Sequence, residues 1–400
     1  MTIVPYRTVF LLLGLSGLGL VLYSCVQRDD APGVSDRNRK LDSLKSKPIS
    51  SQFVSIAETA VSNGIVEGIQ FAIVEGGDVL ATRAFGLADR EKNVPMTVDT
   101  PINVASISKS VTAWGVLALA ERSNIDLNAP VRGLLGEGEL YDETFPGIEV
   151  SVRMLLSHTS GLSGPSVPVT PATESLPGVT DVLFGKSSVP RPVIERPPGS
   201  GFVYSGAGYL VLQELVEDQA QQEFAGFMAE AVLGRARMPD STYVLAPDLL
   251  ERVAVYYRAD GRRREPYHLP GAAGGLYSTA NDMAQFITMY TVNGHAIRNQ
   301  IISDEAYAAL LSPIADSVEY GNQDVSIQYA LGHYTYETEE GVKIAFHAGG
   351  NPGLRAFFIV ALERNSGFFA VTNNDRGTEA LAEMLNAWGH YNGLTLHSYH

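Results

Sequence analysis

The stretch Ser106-Ile107-Ser108-Lys109 decides how this chain is interpreted, because it opens a helix-periodic run that continues to Arg122. A serine before a helix is usually an N-cap, and an N-cap serine is commonly followed three residues later by an acidic or amide side chain. Position 109 is a lysine instead, in the first turn, where the helix dipole disfavours a cation. A local rule broken without visible compensation often marks a functional site.

The same four residues suggest why a lysine stands there. Residues i and i+3 share one face of a helix, so the Lys109 amine can reach the Ser106 hydroxyl. The helix terminus and burial both disfavour the charged form of Lys109, which makes it a better proton acceptor. The Ser106 backbone N–H is free in the first turn to face an oxyanion, whereas Ser108 and Ser110 lack this geometry. The pattern favours a nucleophilic serine over a simple helix cap.

Working outward, hydrophobic periodicity predicts an α+β fold. Helix-periodic segments fill the middle of the chain and both flanks: Ser51–Asn63, Ile107–Arg122, Val152–Ser157, Tyr209–Ala220, Phe224–Leu233, Asn281–Tyr290, Glu305–Leu311 and Thr378–Gly389. Strand-like segments cluster near the two ends: Gln70–Val74, Val79–Phe85, Ile327–Tyr336, Lys343–Phe346, Ala356–Leu362 and Phe368–Thr372. We expect a central antiparallel sheet built from both termini and flanked by helices, with an all-α lobe inserted. Gly161–Ser200 reads as a long connection.

Composition excludes several classes of protein. The 400 residues, 45% apolar and 18% charged, are typical of a globular chain with a sizeable core. A net charge of −15 argues against nucleic-acid binding. One cysteine, eight scattered histidines and the absence of H-E-x-x-H and C-x-x-C argue against a metal centre, and we expect no cofactor. No G-x-S-x-G elbow is present, which argues against an α/β-hydrolase.

The N-terminal segment is typical of a targeting signal. Met1–Arg7 carries one basic side chain, Thr8–Leu22 has no charge, and the only cysteine follows at Cys25. Leu22–Cys25 resembles a bacterial lipoprotein box, in which the cysteine receives lipid, and an uncleaved membrane anchor is the alternative. We therefore expect an extracytoplasmic protein held at a bacterial membrane. It divides into a signal peptide at 1–24, a lipid-attached flexible tether at 25–50 and one domain at 51–395.

Two further stretches accompany Ser106–Lys109 and identify a family. Pro197–Tyr209 reads PPGSGFVYSGAGY and is similar to the pattern P-G-x-x-F-x-Y-S-N-x-G-Y. His347–Gly353 reads HAGGNPG and looks like the H-x-G version of a K-T-G motif. Together the chain resembles the serine β-lactamase and penicillin-binding-protein superfamily. The likeness is strongest to the branch of class C β-lactamases, D,D-peptidases, D-aminopeptidases and family VIII esterases.

The resemblance implies a role for each motif residue. Ser106 would attack a carbonyl, Lys109 would take its proton, and Tyr204 would relay protons, with its pKa lowered by two nearby cations. Outside the family context, Tyr204 reads equally well as a packed aromatic residue. His347 would lie across the cleft beside Tyr204 or a substrate carboxylate, although a lone histidine on a strand is more often structural.

The glycines after His347 are unusual in the middle of a sheet. Gly349 and Gly350 would let a substrate backbone approach the strand edge. The resemblance assigns the second oxyanion N–H to Gly350.

Two departures from the family pattern bear on the substrate. Gly206 stands where the family usually has an asparagine that contacts the substrate amide, and His347 stands where class C β-lactamases have a lysine. Arg355 could replace the lost cation for an acidic substrate group, although a solvated strand residue is the simpler interpretation.

Three functions follow from the sequence. We expect a serine hydrolase that acts on esters or small D-amino-acid or peptide-type amides. A true class C-like β-lactamase and a non-catalytic lipoprotein that binds penicillin or wall peptides are the alternatives.

Overall fold

The computed structural model describes residues 48–136, 145, 147–163, 169–318 and 326–396. The expected signal peptide and the lipidation site Cys25 lie outside the described residues. The first helix begins at Ile49, which is fully buried in the core, so the end of the expected tether at residue 50 already belongs to the folded domain. None of the helices within the described ranges is long and apolar enough to cross a bilayer.

The helices and strands of the described residues are numbered here in chain order. The α-helices are α1 (Ile49–Ser62), α2 (Ile107–Ser123), α3 (Val152–Leu156), α4 (Val179–Leu183), α5 (Gly206–Ala220), α6 (Phe224–Met228), α7 (Pro247–Leu250), α8 (Gly271–Gly274), α9 (Ala280–Thr288), α10 (His295–Arg298), α11 (Asp304–Leu311) and α12 (Thr378–Asn392). The strands are β1 (Gly68–Glu75), β2 (Asp78–Asp89), β3 (Val94–Pro95), β4 (Ile102–Asn103), β5 (Leu162–Ser163), β6 (Thr170–Pro171), β7 (Val193–Ile194), β8 (Tyr256–Tyr257), β9 (Arg263–Arg264), β10 (Tyr267–His268), β11 (Tyr277–Ser278), β12 (Ala315–Val318), β13 (Ile327–Tyr329), β14 (Tyr334–Glu337), β15 (Lys343–Asn351), β16 (Leu354–Ala361) and β17 (Ser366–Thr372).

A nine-stranded antiparallel sheet forms the centre of the fold, in the order β12-β13-β14-β15-β16-β17-β1-β2-β3. The pair β1–β17, with Ile69 opposite Thr372, joins the N-terminal strands to the C-terminal ones. This confirms the expected α+β architecture with a sheet built from both termini.

Helices α1 and α12 cover one face of the sheet. Phe53 of α1 makes edge-to-face contacts with Phe71 and Phe368, whose ring centroids lie 5.3 and 5.1 Å away. Trp388 of α12 completes this aromatic layer and is fully buried. These contacts explain the apolar face that the sequence shows at helical spacing in both helices.

The helical lobe lies on the other face and surrounds α2. Every residue of α2 from Ile107 to Ala120 is buried, so this helix is a central core element rather than an amphipathic surface helix. Trp114 contacts Tyr290 edge-to-face and donates a hydrogen bond to its hydroxyl at 3.0 Å. This helix also contacts β15 and β16 of the sheet, so Ser106 and Lys109 in its first turn lie where the lobe meets the sheet.

Some predicted boundaries were wrong. Ile327–Tyr336, expected as one strand, is split into β13 and β14 at Gly332, whose φ of +74° breaks the strand. A side chain at Gly332 would also lie 2.9 Å from the Lys109 carbonyl oxygen, which explains the glycine there. The strand expected to end at Phe346 continues through the glycines to Asn351. Within Phe224–Leu233 the helix changes to a π-helical turn at Ala229–Leu233.

Candidate active site

Ser106 is the only serine of the first motif whose hydroxyl remains available in the structure. It occupies the N-cap position of α2, is partly exposed, and makes no capping hydrogen bond. Ser108 donates to the Ala105 carbonyl at 2.6 Å, and Ser110 donates to the Gly332 carbonyl at 2.6 Å; both are buried. The Ser106 side chain therefore does not act as a helix cap, and its assignment as nucleophile stays a prediction.

Lys109 lies one helical turn from Ser106 and faces its hydroxyl. Its Nζ lies 3.3 Å from Ser106 Oγ and donates to the Ala273 carbonyl at 2.5 Å. The side chain is 3% exposed, and burial lowers the pKa of the amine to about 7. A large fraction of Lys109 is therefore neutral near neutral pH and can accept a proton from the serine.

Tyr204 stands over the lysine, next to a buried histidine. The Lys109 Nζ lies 5.0 Å from the centroid of the Tyr204 ring, and the His158 ring lies 4.3 Å from it. The Ser205 backbone N–H donates to His158 Nδ1 at 3.1 Å, while the Ser205 hydroxyl caps α5. Tyr204 therefore lies beside both Lys109 and His158, on the segment that leads into α5.

His347 lies on β15 beside the site, with both ring nitrogens engaged. Its Nε2 lies 3.2 Å from the Tyr329 hydroxyl and its Nδ1 lies 2.7 Å from the Ala348 carbonyl. Burial, and then the nearby Lys109, lowers the pKa of His347 to about 3. His347 is therefore neutral at physiological pH and adds no positive charge beside Tyr204.

The two glycines lie on an open strand edge. Pairing of β14 with β15 ends at Tyr334 opposite Phe346, whereas pairing with β16 continues to Asn351. Within the described residues, no strand covers the other edge of β15 beyond Phe346. A Cβ on Gly349 would collide with the Val104 carbonyl oxygen, so this glycine lets β15 lie directly against the segment that leads into Ser106.

Gly206 and Arg355 differ in how well they could contact a substrate. A Cβ on Gly206 would meet nothing within 4 Å, so this position leaves open space. The Arg355 guanidinium instead pairs with Asp375 at 3.1 Å, and its side chain is 15% exposed. The interpretation of Arg355 as a solvated strand residue was therefore wrong, and its charge is already partnered.

Sequence reasoning did not single out three groups that shape this site: Asn103, the Tyr329 hydroxyl and the Ala273 carbonyl. Asn103 precedes the nucleophile by three residues, and an asparagine in a short strand was the available signal. The other two are tertiary contacts with no local signature.

Among the described residues, no group of three or more His, Cys, Asp or Glu side chains could hold a metal ion.

The sequence profile of the β-lactamase family matches residues 53–388, which include all three motifs. The chain belongs to the β-lactamase family. This assignment covers both the sheet and the helical lobe, and with the Ser106–Lys109 pair in place the chain is a serine hydrolase.

Relatives of this β-lactamase family member have different names. It is 24% identical to penicillin-binding protein 4* of Bacillus subtilis over 382 residues, covering 86% of this chain and 76% of the relative. It is 28% identical to esterase EstB of Burkholderia gladioli over 288 residues, covering 63% and 72%. The solved D-amino acid amidase of Ochrobactrum anthropi, in complex with D-phenylalanine, shares the fold with a TM-score of 0.67 at 20% identity, covering 85% and 98%.

Proposed function

We propose that this enzyme hydrolyses small esters that carry no anionic group at the position of a β-lactam carboxylate, through an acyl-enzyme on Ser106. The observation that carries the proposal is that the His347–Gly353 stretch offers no positive charge. His347 has a pKa of about 3 and Arg355 is paired with Asp375, so neither offers an unpartnered charge to a substrate carboxylate. Class C β-lactamases have a lysine where this chain has His347, by the resemblance noted above.

The first chemical step follows from the site geometry. Ser106 Oγ attacks the ester carbonyl carbon while its proton passes to neutral Lys109, 3.3 Å away. The backbone N–H groups of Ser106 and Gly350 receive the negative charge that develops on the carbonyl oxygen. The C–O bond to the alcohol then breaks, and Lys109 or Tyr204 returns a proton to the departing oxygen.

Deacylation repeats the same steps with water. A water molecule attacks the acyl carbon and gives up a proton to Tyr204 or Lys109, and the Ser106 oxygen leaves and is reprotonated. The Lys109 amine lies 5.0 Å from the centroid of the Tyr204 ring, so the two groups assigned to proton transfer are neighbours in the site. Product acid leaves and the free enzyme is restored.

The open space at Gly206 also favours simple esters over β-lactams. Gly206 has no side chain that could donate a hydrogen bond to a substrate amide. Loss of one such bond costs about 1–3 kcal/mol for a polar substrate group, and a simple ester has no amide there to leave unpaired. The name of the relative esterase EstB agrees with this substrate class.

Small amides of D-amino acids are the second candidate, favoured by the open edge of β15. A strand edge without a partner beyond Phe346 can pair with the backbone of a peptide-like substrate. The solved D-amino acid amidase has the same fold. Esters rank first because the alcohol is a better leaving group than an amine and needs less assistance from Tyr204.

The alternatives make different predictions. A true β-lactamase would need contacts to the carboxylate and amide, which Gly206 and His347 provide poorly. A non-catalytic binder would have no need for a lysine whose pKa is lowered to about 7 beside a free serine.

Covalent labelling tests the catalytic interpretation. A fluorophosphonate should give one adduct, on a peptide that contains Ser106, and Ser106→Ala should abolish it. An adduct on Ser205 or Ser278 would overturn the assignment.

We also propose that the enzyme is tethered outside the cytoplasm through lipid on Cys25. The support is the sequence: an uncharged Thr8–Leu22 run leads to the only cysteine, and a polar segment follows before the fold begins.

A further inference from the structure

We propose that Asn103 and Asn351 form a positioning pair that sets the distance between the two oxyanion N–H groups. This inference rests on the proposed acyl-enzyme mechanism, in which these groups belong to Ser106 and Gly350. Neither asparagine touches the reacting atoms in that mechanism. Their effect is exerted through the backbone beside each donor.

Asn103 is a fully buried amide with all of its hydrogen-bonding capacity used. Its Nδ2 donates to the carbonyls of Gly274 and Leu276 at 2.9 and 3.2 Å. Its Oδ1 accepts from the Ala105 backbone N–H at 2.9 Å and from Asn351 Nδ2 at 3.1 Å. The two donated bonds fix the orientation of the amide, so the position of its oxygen is determined by the protein interior.

The two bonds to Asn103 Oδ1 connect the two halves of the oxyanion site. Ala105 directly precedes Ser106, and Asn351 directly follows Gly350. Asn103 Oδ1 therefore accepts one hydrogen bond from the residue before the Ser106 donor and one from the residue after the Gly350 donor. The first donor lies at the end of the helical lobe and the second on the central sheet, so the asparagine pair links two separate elements.

The backbone at Ala105 explains why such a link is needed. Ala105 has φ of +50°, in the left-handed region that is unfavourable for a residue with a side chain. The bond from its N–H to Asn103 helps to hold this conformation, which directs the following Ser106 N–H. Without that bond, we expect Ala105 to relax and the Ser106 N–H to turn away from the position of the oxyanion.

This arrangement predicts a loss of kcat rather than of substrate binding. Removal of a whole oxyanion donor costs about 10²- to 10³-fold in kcat. Misplacement by loss of the link should cost less, about 10-fold for Asn351→Ala, with KM for p-nitrophenyl butyrate within about twofold of wild type. The isosteric Asn351→Asp cannot donate to Asn103 and should lose at least as much.

The experiment compares these variants with a second buried asparagine. Asn373 is also fully buried: its Oδ1 accepts from Gly68 N, and its Nδ2 donates to Leu87 O and Val255 O, away from Ser106 and Gly350. Asn373→Ala should lower Tm but leave kcat within about twofold. Asn351 is only half buried at the end of β15, so Asn351→Ala should keep the wild-type Tm.

Two measurements keep the outcomes distinct: steady-state ester hydrolysis and the rate constant for fluorophosphonate labelling of Ser106. If the two asparagines act as a positioning pair, Asn351→Ala slows both ester hydrolysis and labelling about 10-fold. Adding Asn351→Ala to Asn103→Ala then slows neither reaction further. Rates for Asn351→Ala within twofold of wild type, or an equal kcat loss in Asn373→Ala, would overturn the inference. If wild type labels but does not turn over esters, the proposed function fails while the labelling ratio still decides the positioning role.

Discussion

The Lys109 amine approaches the Ser106 hydroxyl to 3.3 Å from one helical turn away, and the lysine is only 3% exposed. Burial disfavours the ammonium form and lowers the pKa of Lys109 to about 7. The hydroxyl oxygen accepts no capping hydrogen bond from the helix backbone, so its lone pairs are not engaged there. This geometry suits the proposed nucleophilic attack by Ser106 near neutral pH.

The pH profile of ester hydrolysis should report on Lys109. The base must be unprotonated, so kcat/KM should fall about tenfold per pH unit below about pH 7 and level off above it. Lys109→Arg keeps the charge but cannot accept a proton, and we expect it to lose well over 90% of kcat/KM. His347→Asn should keep the acid limb, because the pKa of His347 is about 3. A Lys109→Arg variant above about a tenth of wild type would contradict this role.

Two adjacent glycines should respond differently to the same substitution. A methyl group on Gly349 collides with the Val104 carbonyl and lies 3.2 Å from Ala105 Cβ, so Gly349→Ala should push β15 away from the nucleophile. A displacement of about 1 Å can cost about 100-fold in rate. At Gly350 the nearest atom is Arg355 Cδ at 3.9 Å, an ordinary contact, so Gly350→Ala should remain within about threefold. Equal kcat values for the two variants would contradict the close approach of β15.

Gly206→Asn should improve β-lactam turnover. The new side chain enters open space and can donate to the amide of a β-lactam, which is worth about one to two decades in kcat/KM. Gly226→Asn is the matched control, because this glycine of α6 also has nothing within 4 Å of its Cβ and lies in another helix. Nitrocefin kinetics measure the effect. No gain, or the same gain in the control, would argue against an amide contact at position 206.

Local sequence patterns predicted much of the fold and also the proximity of Ser106 and Lys109. The longer helices begin and end within a few residues of the predicted bounds, because apolar spacing reports which face is buried, whereas the short helices α4, α7, α8 and α10 were not predicted. The i, i+3 geometry of a helix was enough to bring Ser106 and Lys109 together.

The rest depended on tertiary contacts that no local pattern contains. Asp375, which pairs with Arg355, comes from the segment after the next strand, and Tyr329, the partner of His347, comes from β13. Because these partners set charge and burial, the neutral state of His347 could not be read from its neighbours. The split of Ile327–Tyr336 follows from the φ of +74° at Gly332, which the residues around it do not predict.

Cys25 should anchor the protein without affecting its chemistry. Cys25→Ser should release the enzyme from membranes or block its processing, while kcat in detergent stays unchanged, because the active site lies wholly within the folded domain. Membrane fractionation and mass spectrometry of the N-terminus measure this. Residues 1–24 still attached to membrane-bound wild type would favour an uncleaved anchor.

The choice of substrate tests the central claim most directly. Purified protein truncated after Cys25 should be assayed with p-nitrophenyl butyrate and nitrocefin at equal concentration, with Ser106→Ala as the background control. A neutral His347, a paired Arg355 and the missing side chain at Gly206 predict ester hydrolysis well above nitrocefin hydrolysis, and none with Ser106→Ala. Faster hydrolysis of nitrocefin than of the ester would contradict the account and identify the enzyme as a β-lactamase in activity.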